Sequence, residues 1–320
     1  MAMRWCGWLL AVVLLGLPGW PGVQAADGGQ GGCPALLTSR IPARPDDAIT
    51  ASGFVQETRG LSEAARERIL AAELLRGNLP PFLRDLKPVT LHGRAGSGRP
   101  VEITICVMPD YLALGTNDDF IRTPMGRQAA FRVANQFGFI LPTPRMVDAI
   151  HEQAEVKLTP VPLPPTDQMR STAYFQRHQA RIAAQRLAIG APLGVLMDGQ
   201  KKDLVLTSRL RDLPGRVAIY GWHPNAGDPI QPLSLVHGAR YADYSHGVRL
   251  VSGVAWADDG RPRSLLTLLE DPEVAPVLSD EGPIAGVVGL VRDLAGEPAT
   301  ARVTLASSVG PRRGGCGSAC

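Results

Sequence analysis

Six histidines are spread over 320 residues, and three of them, His223, His237 and His246, fall close together. The segment QPLSLVHGARYADYSHGVRLVSG, residues 231–253, holds His237 and His246 together with Tyr241, Asp243, Tyr244, Ser245 and Arg249. Imidazole exchanges protons near neutral pH, and a neighbouring carboxylate can fix its tautomer. His237, Asp243 and His246 are therefore candidates for general acid–base hydrolysis. Arg249 would stabilise developing negative charge, and Ser245 is a candidate nucleophile. Adjacent strand residues point to opposite faces, so Ser245 would be served by His237 rather than by its neighbour His246. Tyr241, or Tyr244, with a histidine could instead abstract a proton, as a polysaccharide lyase requires. A metal reading uses the same groups: His237-x5-Asp243-x2-His246, with His223 as a fourth donor, would suit a catalytic zinc with an open position. Any one of these residues could simply bond loop backbone at a strand end. Their crowding between apolar strands points to function.

The flanking elements decide whether these groups can meet. Ile230 to His237 and His246 to Trp256 are apolar and bounded by turn residues, which predicts two strands. Paired as a hairpin, they would set the two imidazoles opposite each other at its mouth, roughly 5 Å apart at Cβ. Asp243 lies in the connection, and His223, just after an expected strand over Arg216 to Trp222, would join the same rim. Asp203 to Ser208 reads as a further strand, Ser264 to Glu270 as a short helix, and Ile284 to Arg292 and Thr300 to Ser307 as the last strands.

Before these strands the pattern is mostly helical. Ser62 caps a helix over Leu61 to Arg76, Thr123-Pro124 and Thr143-Pro144 open two more, and Ser171 to Leu187 forms a longer one. Within this region Pro100 to Val107 alternates as a strand. Gly93 to Gly98 reads as a hairpin or surface loop, since no phosphate-loop lysine and threonine follow. Gln200-Lys201-Lys202-Asp203 could bind an anionic substrate, but charges before a strand read first as a solvated turn. The expected class is α+β, with a helical middle region (59–190) packed on a mainly antiparallel β C-terminal part (191–310). Both would belong to a single domain over 59–320, preceded by an extended, Gly/Pro-rich arm over 26–58.

Composition sets the surroundings. Lys and Arg number 33 against 30 Asp and Glu, a balance that argues against a nucleic-acid partner. Hydrophobic residues make up 45% and charged residues 20%, which suits a folded chain. Residues 1–25 combine Arg4, an apolar run from Trp8 to Leu17 and the small residues of Val23-Gln24-Ala25. That run is too short to span a bilayer at ~1.5 Å per residue. The pattern is that of a signal peptide cleaved before Ala26, which places the mature chain outside the cell or in the periplasm, with no integral membrane span. Cys6 leaves with that segment. Cys33, Cys106, Cys316 and Cys320 remain, and in an oxidising compartment they are expected as disulfides, with Cys33–Cys106 and Cys316–Cys320 favoured among three connectivities.

His237-Gly238 followed by Ser245-His246-Gly247-Val248-Arg249-Leu250 resembles the catalytic loop of L,D-transpeptidases, a His-Gly, a gap, then Ser-His-Gly-Cys and an arginine. The cysteine has no counterpart here, since Val248 follows Gly247 directly. The resemblance implies a secreted, β-rich enzyme facing the cell wall and does not extend to cysteine acyl transfer. The His…Asp…His order is also similar to that of secreted D,D-peptidases, with different spacing. The sequence therefore points to a secreted hydrolase of an extracellular or cell-wall polymer, peptidoglycan or polysaccharide. The alternatives are the lyase and a non-catalytic envelope or carbohydrate-binding protein. In the last case Tyr220, Trp222, Tyr241 and Tyr244 would form a stacking surface.

Overall fold

The computed structural model describes residues 32–225 and 228–297. The expected signal peptide, the Cys316–Cys320 bridge and the strand over 300–307 lie outside the described residues. The helices are α1 (Ala51–Thr58), α2 (Glu63–Leu75), α3 (Arg127–Phe137), α4 (Pro144–Gln153), α5 (Thr172–Ala188), α6 (Leu265–Glu270), α7 (Ala275–Leu278) and α8 (Val287–Ala295). The strands in the first half are β1 (Lys87–Arg94), β2 (Pro100–Val107), β3 (Ala113–Gly115), β4 (Phe120–Arg122), β5 (Phe139–Ile140) and β6 (Val156–Lys157). The rest are β7 (Met197–Asp198), β8 (Lys202–Leu204), β9 (Ile219–Gly221), β10 (Gln231–Ser234), β11 (His246–Gly247), β12 (Val251–Ala257) and β13 (Pro262–Ser264).

The class is α+β, and the main sheet is antiparallel. β1 and β2 form a hairpin closed by the glycine-rich 93–98 turn, and β12 lies against β2. The other edge of β12 is shared, by β5 at Val251 and Ser252 and by β13 from Val254 to Trp256. Val89, Leu91, Ile103, Ile105 and Val107 are buried on this sheet, and α3, α4 and α8 contribute Phe131, Phe137, Met146, Ile150, Leu290 and Leu294 to the same core. Helices and strands are more interspersed than the sequence reading has them. Residues 59–190 also contribute β1 to β6, and the later part contributes α6 to α8. The main sheet thus needs strands from both ends of the described chain.

Local signals explain several helix boundaries. The Ser62, Thr143 and Ser171 side chains accept from the backbone N–H of Ala65, Met146 and Tyr174, so three helices begin where their caps stand. Thr123 does not cap α3. Its hydroxyl donates to the Leu112 carbonyl (3.2 Å), and the helix starts after Gly126. The arm expected over 26–58 contains α1, whose Phe54 and Val55 are buried. Ile284 to Arg292 is not a strand. Val287, Leu290, Val291 and Leu294 line one face at helical spacing, and this is α8. Cys33 is bridged to Cys106, with Cα atoms 5.8 Å apart, tying the start of the described chain to β2.

The second sheet and its connections carry most of the candidate site residues. Its order is β10-β9-β8-β11, with β8 and β11 parallel and the other pairs antiparallel. The strands expected to pair as a hairpin therefore sit at opposite edges, because β9 and β8 intervene. The expected strand His246 to Trp256 is broken. β11 belongs to this sheet and β12 to the main one, with Val248 to Leu250 crossing between. Among the described residues no helix is long and apolar enough to cross a membrane.

Candidate active site

Residues partnered across a ladder share a face of the sheet. His246, Lys202 and Gly221 are partners, as are Gly247 with Asp203 and Asp203 with Tyr220. The small sheet thus separates two sets of titratable groups.

On the first face the segment 238–245 crosses from the β10 edge to the β11 edge and brings together residues that the strand order holds apart. His237 stacks on Tyr241 with ring centroids 4.0 Å apart and planes 5° from parallel. His246 lies 6.1 Å from the His237 ring and 5.6 Å from that of Tyr241. Asp243 accepts from the Ser245 backbone N–H (2.8 Å) and hydroxyl (2.6 Å) on Oδ1, and from the Tyr241 hydroxyl (3.1 Å) on Oδ2. Its Oδ2 stands 3.9 Å from His246 Nε2. His246 is fully buried, and neither of its ring nitrogens has a hydrogen-bond partner. His237, Tyr241 and Lys202 are half-buried and form the open side. A surface pocket of about 590 Å³, lined by Arg170, Gly238, Arg240 and Tyr241 among others, adjoins Tyr241. Lys202 Nζ lies 4.8 Å over the Trp222 ring, and Trp222 holds a left-handed φ of 58°, an uncommon conformation for a bulky residue.

The electrostatics sort these groups by role. Burial pushes the His246 imidazole down to about 4 despite Asp243, so it is neutral at pH 7. Burial also lowers His237, with Asp243 opposing. Burial and Asp243 push the Tyr241 hydroxyl up to about 12, which keeps it a proton donor. Burial alone would raise Asp243, but His246 and the Ser245 hydrogen bonds hold it below the usual carboxylate range. Ser245 is buried with its hydroxyl committed to Asp243, so it is not poised as a nucleophile toward His237.

Two residues expected here belong to the other face. Arg249 donates to Asp198 Oδ1 (2.9 Å) and to the carbonyls of Met197 (2.7 Å) and Met108 (3.0 Å), with its guanidinium 4.3 Å over the Tyr111 ring. It cannot reach a reaction at His237. His223 stacks on His151, with centroids 4.4 Å apart, and its Nε2 contacts Asp148 Oδ1 at 2.9 Å. The four-donor set His223, His237, Asp243 and His246 is therefore not assembled. The groups that do approach one another at ligand distances are His151, Asp198 and His223. Around them the Tyr111 hydroxyl lies within hydrogen-bond distance of both Asp198 (2.9 Å) and Asp203 (2.8 Å), with one proton to share between them. The ring of Tyr111 lies so close to Gly247 that any side chain there would overlap it, with a Cβ falling 2.5 Å from the ring.

The run 200–203 is not a solvated turn. Gln200, Lys201 and Asp203 are buried, and only Lys202 reaches the surface. Gln200 donates to Asp110, which is ion-paired with Arg122, and Lys201 donates to the Tyr244 carbonyl (2.6 Å). Burial, with Arg122 nearby, pushes the Lys201 ammonium down to about 7. Tyr244 and Trp222 are also buried, so they do not form an exposed aromatic row with Tyr220 and Tyr241. His151, Asp148 and Asp198 were missed in the sequence, where Lys202 was weighed only within the 200–203 run. Asp148-x-x-His151 on one helix face was a legible signal, because residues three apart are neighbours there. No protein-family model matches the chain, and no curated protein and no solved structure resembles it significantly.

Proposed function

We propose that the protein is an exported hydrolase of an extracellular polymer, peptidoglycan or polysaccharide, working by metal-independent acid–base chemistry at His237 and Tyr241. The observation that carries this reading is the convergence of His237, Tyr241, Asp243 and His246 beside Lys202 at one half-open spot. His237, with its lowered pKa, is the base that takes a proton from water. Tyr241, oriented by Asp243, supplies the proton to the leaving group. Lys202 offers positive charge where an oxyanion would develop. His246 packs behind as a neutral ring, and the Ser245 N–H and hydroxyl hold Asp243 ionised. The apolar run and small residues within 1–25 support export, and the Cys33–Cys106 bridge accords with an oxidising compartment. The His-Gly and Ser-His-Gly pairs that resemble the L,D-transpeptidase loop favour a cell-wall substrate.

The stacked His237–Tyr241 pair also favours the lyase, since β-elimination from a uronic acid needs one group to take a proton and another to give one. A single screen tests both. Purified mature protein is incubated with peptidoglycan and with acidic and neutral polysaccharides, in chelator. New reducing ends or free amines without ultraviolet-absorbing unsaturated products mark a hydrolase, and unsaturated products mark the lyase. His237→Ala and Tyr241→Phe should each abolish turnover at wild-type stability. No product from any polymer, or full activity in His237→Ala, would remove the reading.

A further inference from the structure

The cluster on the opposite face of the small sheet has a different chemistry. His151 Nδ1 lies 3.0 Å from Asp198 Oδ2, and His223 Nδ1 lies 4.0 Å from the same oxygen. One donor atom from each residue falls within 4.8 Å of the others. We propose that His151, Asp198 and His223 bind a divalent transition cation of the zinc class, independently of the acid–base reading of His237.

Three features go beyond proximity. First, the spacings bracket the roughly 3.4 Å that separates neighbouring donors in a tetrahedral site with bonds near 2.1 Å. The two imidazoles, stacked with planes 16° apart, need only splay to aim both Nδ1 atoms at one point. Second, two of the three donors are held from behind. Asp198 Oδ1 is occupied by Arg249 and Tyr111, which leaves Oδ2 facing the histidines. His223 Nε2 is held by Asp148 at 2.9 Å, the carboxylate–histidine arrangement that orients metal-ligating imidazoles. Third, the cluster has surplus negative charge. Two carboxylates, Asp148 and Asp198, stand against one guanidinium, Arg249, and the buried Asp203 Oδ1 has no hydrogen-bond partner.

Local backbone is shaped to the same end. Gly199 turns with φ of 97° directly after Asp198, and a Cβ there would meet the carbonyls of Leu158 (2.4 Å) and His223 (3.0 Å). The left-handed residues Gly221 and Trp222 turn the chain into His223. His151 and His223 are mostly buried, and Asp148 is about half exposed, with its side chain at 46%. The cluster thus reaches the surface through Asp148. Two imidazoles and one carboxylate are a donor set for zinc, iron(II) or cobalt(II) rather than for calcium or magnesium.

The test is competition titration of zinc(II) against a chromophoric chelator, on mature protein stripped of metal, with cobalt(II) absorption as a report of coordination. One zinc per chain is expected. His151→Ala should weaken binding at least about 100-fold, and Asp148→Asn, near the surface and not a ligand, about 10- to 100-fold. His237→Ala should bind as wild type. Circular dichroism of each stripped variant establishes its fold, and Asp148→Asn gives the decisive reading if His151→Ala does not fold. Absence of stoichiometric zinc in the wild type, wild-type affinity in a folded His151→Ala or in Asp148→Asn, or loss of binding in His237→Ala would each overturn the proposal. An inactive polymer screen leaves it standing, so the two readings fail separately.

Discussion

The two faces of the four-stranded sheet are built from the same few residues of β8, β9 and β11, yet their interactions differ in kind. On the Asp203 face the groups are charged and mostly paired, with Asp203 Oδ1 and Arg249 Nε the buried atoms left without a hydrogen-bond partner. Arg249, Tyr111, Asp198 and Asp203 form a buried ionic network with one hydroxyl bridging two carboxylates. Burial alone would lower Arg249, but Tyr111 and the two aspartates hold it above its ordinary value. Burial alone would raise Asp198, but the His151 hydrogen bond and Arg249 hold it below the carboxylate range. Asp203 is raised by burial and by Asp198 beside it. On the Lys202 face three rings, two of them half-buried, stand beside Lys202 and Asp243, and neither nitrogen of the fully buried His246 is hydrogen-bonded. A paired network resists change because removing one member strands the others in low dielectric. A set of neutral, half-exposed rings gives and takes protons at little structural cost. The difference assigns rigidity to one face and proton exchange to the other.

Disturbing each face in turn tests that contrast. The largest effect should follow Arg249→Met, which leaves Asp198 without its cation and should cost about 3–5 kcal/mol in denaturant unfolding. A cost below about 1 kcal/mol would mean that the Asp203 face is not one network. Next comes acid sensitivity. His246 binds its proton near pH 6.5 when unfolded but only near 4 when folded. The unfolded chain therefore holds more protons between these values, and stability falls as pH drops from 6.5 to 4, by on the order of 3 kcal/mol. Below about 4 the lowered carboxyls of Asp198 and Asp243 add a further loss, since they are then protonated more readily in the unfolded chain. His246→Gln should flatten the upper window and leave the lower one, and an unchanged profile would exclude His246 as its source. Tyr111→Phe removes one hydroxyl from two aspartates and should cost about 1–2 kcal/mol. Smallest is His237→Ala, at about 0.5–1 kcal/mol for the lost stack on Tyr241. Its thermal melt should barely move while turnover vanishes. A large loss of stability with activity tracking the folded fraction would make His237 structural.

His246 shows how far local reading reaches. The sequence places it at a strand end beside Asp243, and both are there. At a hairpin mouth the ring would stand at the rim, whereas it is fully buried and His246→Ala would leave a cavity. The hairpin argument brought His237 and His246 together for the wrong reason. Their strands do not pair, and the nearness comes from the 238–245 crossing. Lys201 and Lys202 differ for a related cause. Adjacent residues on a strand face opposite ways, so one lysine is buried and the other exposed, and a charge count in the sequence treats them alike.

Short-range chemistry was legible in the chain alone. The Ser62 and Thr143 caps, the helix starting at Ser171, the alternation of β2, the 93–98 turn and the α+β class all follow from neighbours within a few residues. The Cys33–Cys106 pairing was one of three connectivities and needed the fold to decide it. So did the destinations of Arg249 and His223, which the sequence groups with His237 and the structure gives to Asp198. Arg249 is separated from Asp198 by 51 positions and His151 from Asp198 by 47. Contacts at that range depend on which strands become neighbours. That order is set by burying apolar surface over the whole core, a sum that no local window of sequence contains.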